Sequence, residues 1–249
     1  MKSLILCEGV DDVYVIGYYL HKTMGWNRNP KLKVTDNYNL NNFRNGKIEK
    51  YQLGTNKVVM LDVGGKDNFR ESFKAVSDIF YEQPKDCFEQ VFIVMDKDDD
   101  SEEALLESIN QDLKAVGITN ISTLTVNTKN IHSDIVEDEE YSIAFVPVLI
   151  PFDGNGALEN ILMAAIASEG SEEGLVVEKA KEYIDGLKED LEKYLNHERL
   201  ELKAKFSAVI SVTNPERSTA TFDKLLMSHD WERYPTIRNN FSAFNKFLT

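Results

Sequence analysis

Leu4-Ile5-Leu6-Cys7-Glu8-Gly9-Val10-Asp11-Asp12 and Val91-Phe92-Ile93-Val94-Met95-Asp96-Lys97-Asp98-Asp99-Asp100 decide the fold. Each is an apolar run of strand length that ends in carboxylates. Runs rich in Val, Ile and Leu, without alternation, read as strands buried on both faces of a parallel sheet. Acids at the carboxyl ends of such strands gather in the crevice where open α/β sheets keep their ligands. Several of them together point to a divalent-cation site.

The same reading extends outward. Residues 2–7 form the first strand. Residues 11–24 follow as a helix, with Val13, Ile16, Leu20 and Met24 on one stripe. The Asn-rich stretch 25–55 has little periodicity and one expected strand near Leu32-Lys33-Val34. A strand at 57–63 ends in Gly64-Gly65, and a helix at 66–81 turns Phe69, Phe73, Val76 and Phe80 inward. The third strand is 90–95 and the third helix 101–116, stopped by Gly117. Three strand–helix cycles predict parallel pairing with right-handed crossovers. Residues 121–126 and 143–150 supply two more strands. The expected fold class is therefore α/β: a parallel sheet flanked by helices over residues 1–151.

Pro147, Pro151 and the Asp153-Gly154-Asn155-Gly156 turn mark a change of character. Residues 156–167, 175–196 and 200–212 read as helices. The region 152–249 is thus expected to be mainly helical, either as a subdomain or packed on the same sheet. Glu137-Asp138-Glu139-Glu140 reads as a solvated loop, and Trp231 with Tyr234-Pro235 as core.

Composition narrows the class. At 249 residues, 42% hydrophobic and 28% charged, the chain is that of a globular protein and not a disordered tail. No apolar stretch reaches the roughly 18 residues of a membrane span. The N-terminal apolar run is too short for a signal peptide, so a cytoplasmic protein without membrane partners is expected. Cys7 and Cys87 form no CxxC and the four histidines are scattered, which disfavours zinc. The net charge of −14 argues against a sequence-independent nucleic-acid coat. From His197 onward eight Lys/Arg face six Asp/Glu, a local charge of +2, so the preceding part carries −16.

Plain helix chemistry explains part of the acidic pattern. Acids suit a helix N-terminus, so Asp12 has an ordinary place there, as do Glu102 and Glu103. Asp100 or Ser101 can cap the third helix. Capping explains one Asp well, but not Asp96, Asp98 and Asp100 together, which repel one another without a cation. An EF-hand would place Asp96, Asp98, Asp100 and Glu107 at loop positions 1, 3, 5 and 12. It fails because its glycine position is Ser101 and the preceding segment is strand-like. A haloacid-dehalogenase-type Asp-x-Asp fails for want of a following Gly-Thr.

Glu8-Gly9 with Asp12, Gly64-Gly65 after the next strand, and Asp96 with Asp98 after the third resemble the Toprim domain over roughly the first 120 residues. Gly156-Ala157-Leu158-Glu159 resembles the Gly-x-Leu-Glu segment of the OLD-nuclease-like branch. Lys203-Ala204-Lys205-Phe206-Ser207-Ala208 resembles that branch's late lysine segment. Together they look like a small stand-alone Toprim family that lacks an ATPase domain. The resemblance implies a Rossmannoid fold and a metal-dependent nuclease, in nucleic-acid processing or phage defence. Two Mg2+ or Mn2+ ions would be held by Glu8, Asp12, Asp96, Asp98, Asp100 and Glu159. Glu8, Asp96 and Asp98 would serve the reaction with Lys203 or Lys205, between which the sequence does not choose. DNA or RNA is the implied partner. A partner ATPase and a homodimer both stay open.

A non-catalytic Toprim binding or assembly module is the competing reading, as is a phosphoryl-transfer enzyme acting on small nucleotides. No GxxxxGK[ST] loop occurs, which argues against intrinsic ATP hydrolysis of that type.

Overall fold

The computed structural model describes residues 1–34, 46–121, 123–227 and 229–249. The described chain divides into two compact units, Met1–Leu149 with Phe241–Thr249, and Ile150–Asn240.

The first unit is an α/β fold built on a seven-stranded mixed sheet. Its strands are β1 (Lys2–Cys7), β2 (Asn27–Arg28), β3 (Ile48–Leu53), β4 (Asn56–Asp62), β5 (Gln90–Asp96), β6 (Asn130–Val136) and β7 (Glu139–Ile150), in the order β2-β3-β4-β1-β5-β7-β6. β1 lies between β4 and β5 and runs parallel to both. These three strands are the apolar runs of the sequence, and every residue of β5 is buried. The sheet departs from an all-parallel arrangement at its edges, where β2–β3–β4 and β6–β7 pair antiparallel.

Helices cover both faces. α1 (Val10–Lys22) packs on β1 and β4. On the opposite face α2 (Phe69–Glu82) and α3 (Glu102–Ala115) bury Phe69, Phe73, Val76, Phe80, Leu105 and Ile109 against Leu4, Leu6, Val59 and Ile93. On the α1 face the chain end returns. α9 (Ser242–Phe247) sets Phe244 on Phe92 at 5.1 Å between ring centroids, and Phe241 sits 5.3 Å from Tyr19.

Two expected strands are absent. Leu32, Lys33 and Val34 are not a strand; the pairing is made by β2 and β3 on either side, while residues 35–45 lie outside the described set. Of residues 121–126, Ser122 lies outside the described set and the others form no strand. β6 lies further on, and its signal is weak because Ile131 and Ile135 face outward. The acidic run is a hairpin turn, with Glu137 and Asp138 at φ 51° and 66° joining β6 to β7.

The second unit is helical: α4 (Leu158–Ala167), α5 (Ser171–Leu187), α6 (Glu198–Thr213), α7 (Phe222–Leu226) and α8 (Pro235–Asn240). α4 packs against α5, α6 and α8. Trp231 is core, 1% exposed, and its indole N–H donates to the Leu226 carbonyl at 3.0 Å. α5 starts before the expected residue 175 and ends at Leu187, nine residues short of 196. Ser171, Glu172 and Glu173 supply an acidic first turn suited to the helix dipole.

Candidate functional site

β1 and β5 are neighbours, yet α1 and α3, which follow them, lie on opposite faces of the sheet. Their carboxyl ends are therefore a topological switch point, the place where such sheets bind ligands. Glu8 follows β1 and Asp96 ends β5, so both acids stand at this switch point.

Glu8 is stitched to both neighbouring strand ends. Its N–H donates to the Val94 carbonyl at 3.1 Å, and its carbonyl accepts from the Gly65 N–H at 2.8 Å. Its carboxylate Oε2 accepts the Asp96 backbone N–H at 3.2 Å. Glu8 and Asp96 are each 2% exposed and Asp12 is 4% exposed. Asp12, at the third position of α1, accepts the Gly9 N–H on Oδ2 at 2.8 Å. Asp12 thus serves the N-terminus of its own helix. On α3 the cap is Ser101, whose Oγ accepts the Ala104 N–H at 3.2 Å, which leaves Asp100 out of that task.

Gly64 and Gly65, at φ 77° and 116°, are left-handed turns that a side chain would strain. They deliver Lys66 to the acids. Its Nζ lies 2.8 Å from Asp98 Oδ2 and 3.1 Å from Asp100 Oδ2. Burial would lower this ammonium's pKa, but the hydrogen bonds to Asp98 and Asp100, with the charges of Asp98 and Glu8, outweigh it and raise the value. Asp98 itself is held at φ 49°, a region Asp tolerates better than most residues.

Asp62, at the end of β4, is an acid the sequence reading passed over. Its Oδ1 accepts the Gly64 N–H at 2.8 Å and fixes the turn. Its signal was available: it too is a carboxylate at the end of an apolar strand, next to β1 in register with Cys7. Burial, then the charges of Asp12 and Asp62, push the Cys7 thiol well above its ordinary pKa.

The first unit thus brings Glu8, Asp12, Asp96, Asp98 and Asp100 to one end of the sheet. Glu159, Lys203 and Lys205 belong to the second unit. There Lys203 on α6 lies 3.8 Å from Glu159 in the first turn of α4. Lys205 turns instead to Asp185 of α5 at 2.5 Å. Two residues apart on a helix, the lysines face different neighbours.

Among the described residues no three His, Cys, Asp or Glu side chains are grouped closely enough to hold a metal ion. Asp98 and Asp100 are drawn instead to Lys66, a cation already standing between two carboxylates. The Lys66 ammonium thus supplies positive charge to both carboxylates.

The seven-stranded sheet with helices on both faces defines an α/β fold. Its family is shown by sequence: the chain belongs to the family described as "Protein of unknown function (DUF3226)", whose family model matches residues 2–248. The fold is similar to the crystal structure of a hypothetical protein from Pyrococcus horikoshii OT3, with TM-score 0.51 and 18% identity over 91% of this chain and 98% of that one. No curated protein matches the sequence. Among the described residues no helix is long and apolar enough to cross a membrane.

Proposed function

We propose that this protein is a metal-dependent phosphodiester hydrolase, a Toprim-type nuclease acting on DNA or RNA. One observation carries the reading. Two buried carboxylates, Glu8 and Asp96, stand at the carboxyl ends of two neighbouring parallel strands, and the Glu8 Oε2 accepts the Asp96 backbone N–H at 3.2 Å. Buried carboxylates are costly unless hydrogen bonds or a cation compensate their charge.

Glu8, Asp12, Asp96 and Asp98 would hold Mg2+ or Mn2+. Such an ion activates a water and stabilises charge on a transferring phosphate. The chain's own residues supply the rest. Glu8 and Asp96 fix the donor positions through their backbone bonds. Lys66 holds the Asp98–Asp100 loop in place and offers an ammonium to an incoming phosphate. In a chain of net charge −14 a phosphate approaches these acids only when cations invert the local potential.

The test is cleavage of supercoiled plasmid and of a single-stranded oligonucleotide with Mg2+ and with Mn2+, beside the Asp96→Ala protein. Cutting that requires metal and disappears in the variant supports the reading. Absence of cutting under every condition, or cutting that persists in Asp96→Ala, sinks it. The Lys66 bridge favours a second reading, a non-catalytic binding or assembly module, because it offsets part of the Asp98 and Asp100 charge without any metal ion. That reading expects polynucleotide retention without cleavage in the same assay.

A further inference from the structure

Residues 21–57 stand apart from the rest of the chain in charge. They hold eight Lys/Arg and two Asp/Glu, a local charge of +6, so the remainder carries −20. Residues 35–45 lie outside the described set, and the charges of Asp36 and Arg44 within them cancel. Among the described residues of this stretch Glu49 is the sole acid. Cations gathered on one flank are the electrostatic footprint of a polyanion.

The flank is the β2–β3 side of the sheet, within the first unit. Lys31 and Lys33 are exposed and alternate with the buried Leu32 and Val34, which belong to the core beneath. Lys50 Nζ donates to the Leu32 carbonyl at 3.1 Å, and Lys57 Nζ to the Lys33 carbonyl at 2.8 Å. Each bond uses one of an ammonium's three donors, and a neutral carbonyl leaves the charge in place. Among the described residues no carboxylate pairs with any of these four lysines. On the other face of β3, Arg28 and Lys47 share the Glu49 carboxylate at 2.7 and 3.2 Å. Two cations on one acid still leave a positive charge.

The row of cations runs toward the candidate carboxylates. The Lys47 carbonyl accepts the Asp62 N–H at 3.0 Å, and Asp62 is in register with Cys7, the residue before Glu8. Lys47 is thus about 10 Å, two strand spacings, from the strand that leads into Glu8. Lys57 lies opposite Gln52, further down β3. At the rise of a strand it is about 17 Å from the Lys47 end. That span corresponds to about five phosphates along one strand of a duplex.

We propose that the β2–β3 side is a phosphate-contacting surface, where Lys31, Lys33, Lys50 and Lys57, with the surplus charge of Arg28 and Lys47, hold the backbone of a polynucleotide beside the candidate carboxylates. The proposal rests on the nuclease reading for the identity of the polyanion. A few phosphate contacts bind weakly on their own, so this surface adds affinity and direction to a strand that also meets the metal-loaded acids. Contacts to phosphates carry no sequence information, so the added affinity is the same for any sequence.

The experiment is fluorescence anisotropy with a labelled duplex oligonucleotide and the matching single strand, in Mg2+ buffer at several salt concentrations. Readings are extrapolated to zero time so that cutting does not enter. The proteins are wild type, Lys31→Glu with Lys33→Glu, Lys31→Arg with Lys33→Arg, and Lys181→Glu with Lys224→Glu. The last pair makes the same change of net charge at exposed lysines of the second unit. Thermal melting confirms that each variant is folded. The Lys31→Glu, Lys33→Glu protein should lose about tenfold or more in affinity for the duplex, with a salt slope lower by about 2. The arginine pair and the second-unit pair should both stay near wild type. Wild-type affinity in the Lys31→Glu, Lys33→Glu protein, or an equal loss in the second-unit pair, overturns the proposal. So does absence of oligonucleotide binding by wild type. Tighter binding of poly-glutamate than of either oligonucleotide assigns the surface to an acidic peptide and also overturns it. Cleavage is scored separately: a protein that binds through these lysines but cuts nothing loses the nuclease reading alone, and one that cuts with unchanged affinity in the lysine variants loses the surface alone.

Discussion

Glu8 combines a structural bond and a charge, and two substitutions separate them. Glu8→Ala leaves the buried Asp96 N–H without its carboxylate acceptor, a loss of about 1–3 kcal/mol. Glu8→Gln keeps an oxygen there and removes only the charge. The amide variant should therefore unfold in urea within about 1 kcal/mol of wild type while metal-dependent cleavage is lost. Wild-type cutting by Glu8→Gln would falsify a role for this carboxylate. The thiols allow a second test at this scale. Burial, with the charges of Asp12 and Asp62, raises the Cys7 pKa, and burial pushes Cys87 up to about 12. A raised thiol pKa means that the unreactive protonated form dominates at pH 8. Both cysteines should resist iodoacetamide in the native protein and react promptly in denaturant, as read by mass spectrometry. A natively labelled Cys7 contradicts its burial.

At the scale of elements, the turn from β4 into α2 couples backbone conformation to the site. Gly65 sits at φ 116° with open space where a Cβ would go, and its N–H holds the Glu8 carbonyl at 2.8 Å. The cost of Gly65→Ala is therefore torsional, about 1–3 kcal/mol. It falls on the segment that positions both Glu8 and Lys66. Thermal melting should show the loss, and cleavage should fall further than in an equally destabilised core variant. The start of α3 gives a contrasting case. Ser101→Ala removes a cap worth about 1 kcal/mol but leaves the Lys66 bridge to Asp100 intact. Its activity per folded molecule should stay near wild type, and a large loss would mean that the cap positions Asp98 or Asp100. Elements with a strong period were legible in the sequence: β1, β4 and β5 as unbroken apolar runs, and α2 from its phenylalanine stripe. β3 and β6 were not. β3 alternates only weakly, with Ile48 and Tyr51 among charged neighbours, and β6 points two isoleucines outward, so neither carries the usual mark of a buried face.

Across the whole molecule, the first unit depends on the far end of its own chain. Phe241, Phe244 and Leu248 are fully buried, and Gln90 Nε2 donates to the Phe247 carbonyl at 2.8 Å. Phe244→Ala should lower stability by about 3–5 kcal/mol through the cavity left on Phe92, measured by urea unfolding. A loss below about 1 kcal/mol would show that this end docks only loosely. The charge of −14 bears on partners at the same scale. Fluorescence anisotropy should show oligonucleotide binding with Mg2+ and little in EDTA, because the acidic field repels phosphate until cations neutralise it. Tight binding in EDTA would mean that basic groups alone hold the strand. Local pattern alone determined three strand–helix cycles, the helical character of the second part, and acids at two strand ends, because these depend on residues near one another in the chain. Only the tertiary structure decided that β1 lies between β4 and β5 with helices on opposite faces. It alone showed that Lys66 reaches across to Asp98 and Asp100, that Lys203 and not Lys205 meets Glu159, and that the last residues cover the sheet. Each of these joins segments far apart in sequence, and their partners are fixed by packing and chain closure, which no local periodicity records.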